Sequence, residues 1–264
     1  MISELLSFLP DSLPDSHPFP PAKERTAWQG LPLRVKQRFL QAGEAALVAP
    51  IEPLPLSLWR DFLRTGQRTP WEDAYFSRRA RLCALVCAEC VEHTGRFLDA
   101  IADTVWALCE ESAWQLPAHN SYLRDAPQLP TPNIERPIVD LFAAETGALL
   151  ATVYGLLGTA PDSYAPGLAE RIRREVECRI LTPYLTSHFW WMGHGDEPMC
   201  NWTPWCTQNV LLAAVQCADA ARLPDFVRQA AYSLDCFLKD YGDDGCCSEG
   251  AQYYRHAALT MFNA

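Results

Sequence analysis

Pro137-Ile-Val-Asp-Leu-Phe-Ala-Ala-Glu-Thr-Gly-Ala-Leu-Leu-Ala-Thr-Val-Tyr-Gly-Leu-Leu-Gly158 reads as a single helix with both ends marked. Proline stands in the first turn, where its missing N–H costs nothing, and Gly158 stands just past the last periodic residue. The same punctuation recurs on both sides. Apolar residues at helical spacing run from Leu33 to Leu47, Leu56 to Arg64, Trp71 to His93 and Arg96 to Trp114. Further on they run from Pro166 to Leu181, Val210 to Ala221, Pro224 to Tyr241 and Glu249 to Ala264. No stretch alternates with a period of two, and no two-residue hairpin signal joins apolar runs. The expected fold is all-α, built of antiparallel helical hairpins. Their recurrence at about 40 to 60 residues fits a solenoid or an α/α toroid.

The chain has 264 residues, 49% of them hydrophobic, enough for a sizeable core. Residues 1–22 carry prolines at 10, 14, 18, 20 and 21 and read as an N-terminal arm with one short helix at its start. Residues 23–264 read as the helical domain. The chain stops at Ala264 within an apolar helical pattern, which points to a C-terminally truncated toroid. A net charge of −10 argues against nucleic acid as a partner, because phosphate binding needs clustered Lys and Arg. The cluster Arg171 to Arg174 sits among glutamates and reads as a solvated face. Neither a signal sequence nor an apolar run of about 18 residues is present, so a cytoplasmic protein without a membrane partner is expected. The eleven cysteines fit reduced core thiols, with Cys83, Cys87 and Cys90 on one buried helical stripe.

Chemistry-bearing residues gather in three places. The first is Met192-Gly-His-Gly-Asp-Glu-Pro-Met-Cys-Asn-Trp-Thr-Pro-Trp-Cys-Thr-Gln-Asn209, where two glycines and two prolines break any helix and the helix from Val210 follows. The second is Glu110 to Asn120, which holds His119. The third is Asp243 to His256. All lie at helix ends, and in an array of hairpins alternate loops emerge on one rim. Cys200, Cys206, Cys246, Cys247 and His194 offer zinc ligands, but no CxxC pair is present and vicinal cysteines are poor co-ligands, so no metal is expected. Nor does any spacing pair a cysteine with a histidine as a thiol nucleophile. Carboxylates for glycoside hydrolysis exist at Asp243, Asp244 and Glu249, or at Asp196 and Glu197, although Asp243-Asp-Gly245 is equally a turn.

Cys200-Asn-Trp-Thr-Pro-Trp-Cys-Thr-Gln-Asn209, followed by Asp243-Asp-Gly-Cys-Cys-Ser-Glu-Gly-Ala-Gln-Tyr-Tyr254, resembles the heparinase II/III-like polysaccharide lyases, a group that includes oligoalginate lyases. Glu111 to His119 resembles them less specifically. The resemblance implies an α/α toroid followed by a β-sandwich region that this chain lacks, and cleavage of uronate-containing oligosaccharides by β-elimination without a cofactor. It places Asn201 on the uronate carboxylate and makes Tyr253, then Tyr254, the catalytic tyrosine. Such an amide donor suits the task, since the C5 proton is acidic only once its carboxylate is neutralised. Arg255 and His256 would lower a tyrosine's pKa. Several members carry histidine directly after this asparagine, where this chain has Trp202. The base then falls to His194, His119 or His256. Trp202, Trp205, His119, Glu249 and Arg255 complete the expected substrate contacts. The alternatives are a glycoside hydrolase on an α/α barrel and an inactive carbohydrate-binding relative.

Overall fold

The computed structural model describes residues 1–8, 18–194, 196–246 and 249–264. Its α-helices are α1 (Arg25–Gln29), α2 (Leu33–Val48), α3 (Leu56–Thr65), α4 (Thr69–Glu92), α5 (Leu98–Cys109) and α6 (Leu141–Leu157). They continue with α7 (Leu168–Val176), α8 (Thr182–Thr186), α9 (Trp202–Cys217), α10 (Leu223–Leu238) and α11 (Thr260–Asn263). No strand occurs among the described residues. The all-α expectation therefore holds. No described helix is long and apolar enough to cross a membrane.

Helix α2 packs on α4, and α4 on α5; α6 packs on α9, and α9 on α10. Contacts of α4 with α6 and of α5 with α7 join the two groups. One core cluster runs through both, from Ala22 to Phe226, with Leu82, Ile101, Leu150, Ile180 and Val210 fully buried in it. Trp59, Trp71, Tyr75 and Leu116 form a smaller cluster, and Met199, Cys236, Phe237 and Ala257 another.

Several boundaries differ from the sequence expectation for identifiable reasons. Helix α5 stops at Cys109 rather than Trp114, because the chain turns and the Trp114 indole N–H bonds back to the Leu108 carbonyl at 2.9 Å. Helix α6 starts at Leu141, not at Pro137: Asp140 accepts the amide N–H groups of Phe142 and Ala143 and takes the N-cap that proline was expected to mark. A π-helical turn, Glu177–Leu181, joins α7 to α8 just before Pro183, which has no N–H to give the ladder. Helix α9 begins at Trp202, eight residues earlier than Val210, since Pro204 falls in its first turn where it is tolerated. The end of the chain is helical only from Tyr254 on, as a π-turn Arg255–Leu259 leading into α11.

The thiol stripe on α4 is graded rather than buried throughout: Cys83 is exposed, Cys87 half-buried and Cys90 buried. No disulfide occurs among the described residues. The arginine cluster on α7 is less solvated than expected. Arg171 pairs with Glu175 and Glu110, and with Arg179 it donates to the Cys109 carbonyl, fastening α7 and the π-turn to the end of α5.

Candidate active site

Asp140 is the centre from which the site is built. Its carboxylate is fully buried. Oδ1 accepts the N–H groups of Phe142 at 3.1 Å and Ala143 at 2.7 Å, capping α6. Oδ2 accepts the Leu116 N–H at 3.2 Å and lies 2.7 Å from His119 Nδ1. The carboxylate therefore holds Nδ1 as the donor and leaves Nε2 as the ring nitrogen able to accept a proton. Below it, Tyr75 donates from its hydroxyl to the Trp114 carbonyl at 2.6 Å, and Arg79 stacks 3.2 Å from the Tyr75 ring centroid. Burial, only partly offset by Arg79, pushes the Tyr75 hydroxyl far up, so it remains a neutral strut.

The His119 ring lies parallel to Phe142 at 5.8 Å and meets Trp202 at 4.7 Å. Trp202 in turn meets Trp190 at 4.9 Å, and the Arg124 guanidinium sits 4.9 Å over Trp190. His119, Ser121, Arg124, Gln128, Trp190 and Trp202 line a cleft of about 290 Å³. Trp191 anchors this wall: its indole N–H reaches the Val139 carbonyl at 2.7 Å, and the Thr203 hydroxyl donates to the Trp191 carbonyl at 2.6 Å. Gly193 takes a positive φ of 88° and lies so close to α10 that a Cβ there would meet Cys236 at 2.5 Å, so glycine is required.

A second group extends from Trp205, one turn further along α9. The Trp205 indole N–H donates to Glu145 at 2.7 Å, and His256 stacks on the Trp205 ring at 4.2 Å. Burial raises the Glu145 carboxyl above the usual carboxylate range, against the pull of the Trp205 hydrogen bond. Burial, then Arg255, lowers the His256 imidazole, so it favours the neutral form. Arg255 Nη2 lies 3.1 Å from His256 Nε2, which occupies that nitrogen as an acceptor. The Tyr253 ring is 6.4 Å from His256. Because Phe142 touches both His119 and Trp205, one aromatic cluster joins the two groups.

The structure thus brings together His119, Trp202, Trp205, His256, Tyr253 and Arg255. Asn201 sits at the head of α9 between Cys200 and Trp202, both on the cleft wall. It is 3% exposed, and its side-chain amide makes no hydrogen bond among the described residues. Its backbone N–H donates to Glu249 at 2.8 Å, so Glu249 ties the distant 249–254 turn to α9 instead of opening a helix as expected. Two expected residues stand apart. His194 is exposed and stacks at 3.9 Å on His188, which is also exposed. Tyr254 is 51% exposed and takes no part in the cluster. Asp244 accepts the Cys246 N–H at 2.9 Å in an exposed turn, a backbone contact that holds its carboxyl low and suits a turn more than an acid catalyst.

Among the described residues, no group of three or more His, Cys, Asp or Glu side chains is placed to hold a metal. Cys247, offered by the sequence as a zinc ligand, lies outside the described residues. Sequence reasoning missed Asp140, Glu145 and Arg124. The first had a readable signal, an aspartate directly before an apolar helix. The second was a lone carboxylate within that helix. Arg124 lies in a polar loop with no pattern to single it out. No protein-family model matches the chain, and no curated protein matches it.

Proposed function

We propose that this chain is the catalytic helical domain, toroidal in architecture and cytoplasmic, of a lyase that cleaves short uronate-bearing saccharides by β-elimination. The observation that carries this reading is the Asp140-oriented His119 in an aromatic-walled cleft that also presents Arg124. A sugar ring fits against Trp202 and Trp190, and its carboxylate is met by Arg124, with the Asn201 amide buried behind the wall, which makes the C5 proton removable. His119 Nε2 takes that proton. The released electron pair forms the C4–C5 double bond as the C4–O bond breaks, and Tyr253 returns a proton to the leaving oxygen. His119 takes the base role ahead of His256 because Arg255 occupies His256 Nε2, and ahead of His194, which stands away from the cluster.

The product's new double bond absorbs in the ultraviolet, which a hydrolase product does not. Incubation with alginate, heparin-type and chondroitin-type oligosaccharides is expected to raise absorbance with at least one. His119→Ala should cut kcat by about 10²- to 10⁴-fold while the protein stays folded by circular dichroism. Silence with all three classes would sink the lyase reading. Full turnover by His119→Ala would pass the base role to another histidine.

A further inference from the structure

We propose that a second cavity, separate from the cleft, is a binding site for a small apolar carboxylate. This cavity of about 500 Å³ lies between α3, α4, the end of α5 and the 131–134 loop. Its apolar walls include Leu54, Leu56, Trp59, Trp71, Pro132 and Ile134, with Trp59 and Trp71 in an edge-to-face pair at 5.1 Å. The volume is that of a small-molecule pocket. None of its lining residues is shared with the cleft. Leu116 and Phe142, packed behind the tryptophan pair, stand between the two.

The wall carries Arg78 with Glu110 and Glu111, and a second guanidinium, Arg79, lies outside the lining. Arg79 donates to both oxygens of Glu111, at 3.2 and 2.7 Å, and Arg78 donates to Glu111 Oε1 at 3.1 Å. Among the described residues neither arginine has a second carboxylate partner, and the nearby Glu110 is paired with Arg171. Two guanidinium groups therefore share one carboxylate in a setting where the side chains are only 5–11% exposed. A largely desolvated guanidinium that only shares a carboxylate gains from a further acceptor.

Arg78, unlike Arg79, lines the cavity. Its Nε is taken by the Glu52 carbonyl at 2.6 Å and its Nη1 by Glu111, while Nη2 has no protein acceptor among the described residues. A carboxylate on Arg78, with an apolar ring against the tryptophan wall, satisfies both the charge and the surface. Apolar side chains form most of the wall, and of its polar residues Glu110 and Glu111 are already paired with arginine, which leaves Ser112 and Thr131 for ring hydroxyls and disfavours a sugar acid. This site does not depend on the lyase reading.

Phenylacetate is a suitable probe, followed by intrinsic tryptophan fluorescence and by calorimetry on the full chain. Saturable binding is expected, with benzyl alcohol and glucuronate each binding at least about tenfold more weakly, since one lacks the charge and the other the apolar ring. Arg78→Met should weaken binding at least about tenfold. Ile134→Trp should block it by filling the mouth from an exposed loop position, and it decides the matter if Arg78→Met does not fold. His119→Ala should bind phenylacetate as the wild type does, whatever its effect on saccharide turnover. The proposal is overturned by an absence of saturable binding, by equal binding of glucuronate, by unchanged affinity in folded Arg78→Met or Ile134→Trp, or by loss of binding in His119→Ala.

Discussion

At the scale of single residues, buried carboxylates decide most of the local chemistry. Asp140 caps a helix and orients a histidine with the same group, so the entry of α6 and the tautomer of His119 are set together. Glu145, one turn further along, has a different balance: burial outweighs its one indole hydrogen bond, and its folded pKa is raised. The folded state then keeps this proton to higher pH than the unfolded chain does. As pH rises through the ordinary glutamate value of about 4.3, stability is lost until the folded carboxyl also ionises. Glu145→Gln keeps an acceptor for Trp205 and removes this loss. The variant should match the wild type most closely near pH 4 and gain on it by pH 7 in urea unfolding; a difference that does not change with pH would refute the assignment.

At the scale of elements, the helix signals in the sequence were reliable where caps and prolines had one reading. They failed where two local residues competed to mark the end. The α6 start moved because Asp140 answers both to its own helix and to His119, 21 residues away. The α9 start moved because Pro204 reads equally as a loop residue or as a first-turn residue, and packing of Trp202 and Cys206 decides it. Contacts between helices set a further rule that composition hides. Gly43 of α2 faces α4 so closely that a Cβ would meet Ala88 Cβ at 2.3 Å and Phe97 at 3.1 Å. Gly43→Ala gains up to about 1 kcal/mol in helix propensity, yet overpacking of about 1–3 kcal/mol should outweigh it. Urea denaturation of this variant should show net destabilisation.

At the scale of the whole molecule, the two ends of the chain are tied to the same region. The 3-10 helix Ile2–Phe8 docks on α10, where Asp235 accepts the N–H groups of Ile2 at 2.6 Å and Ser3 at 3.0 Å, together with the Ser3 hydroxyl. Burial alone would raise the Asp235 carboxyl, but these hydrogen bonds outweigh it and hold it low. A depressed folded pKa stabilises above the ordinary aspartate value of about 3.9 and is lost as pH falls through the folded value. Asp235→Ala should therefore speed pepsin removal of the first eight residues at pH 5, and the ratio to wild type should shrink towards one at pH 3. A ratio that stays constant over that range would count against the clasp. The proline-rich reading of residues 1–22 held no hint of this contact, because its partner lies more than 230 residues away.

Period and punctuation in the sequence determined that the chain is helical and roughly where many of its helices begin and end, because helix formation is governed by residues three and four apart. They also made visible that aromatic and titratable groups crowd at helix ends, among them His119, Trp202, Trp205 and His256. Only the tertiary structure decided which of them meet. His119 gains its aspartate, Trp205 its glutamate, and Arg78 and Arg79 their single shared carboxylate through contacts 21 to 60 residues apart. Hydrogen-bond direction and charge balance at that range are properties of packing, and no local pattern encodes them.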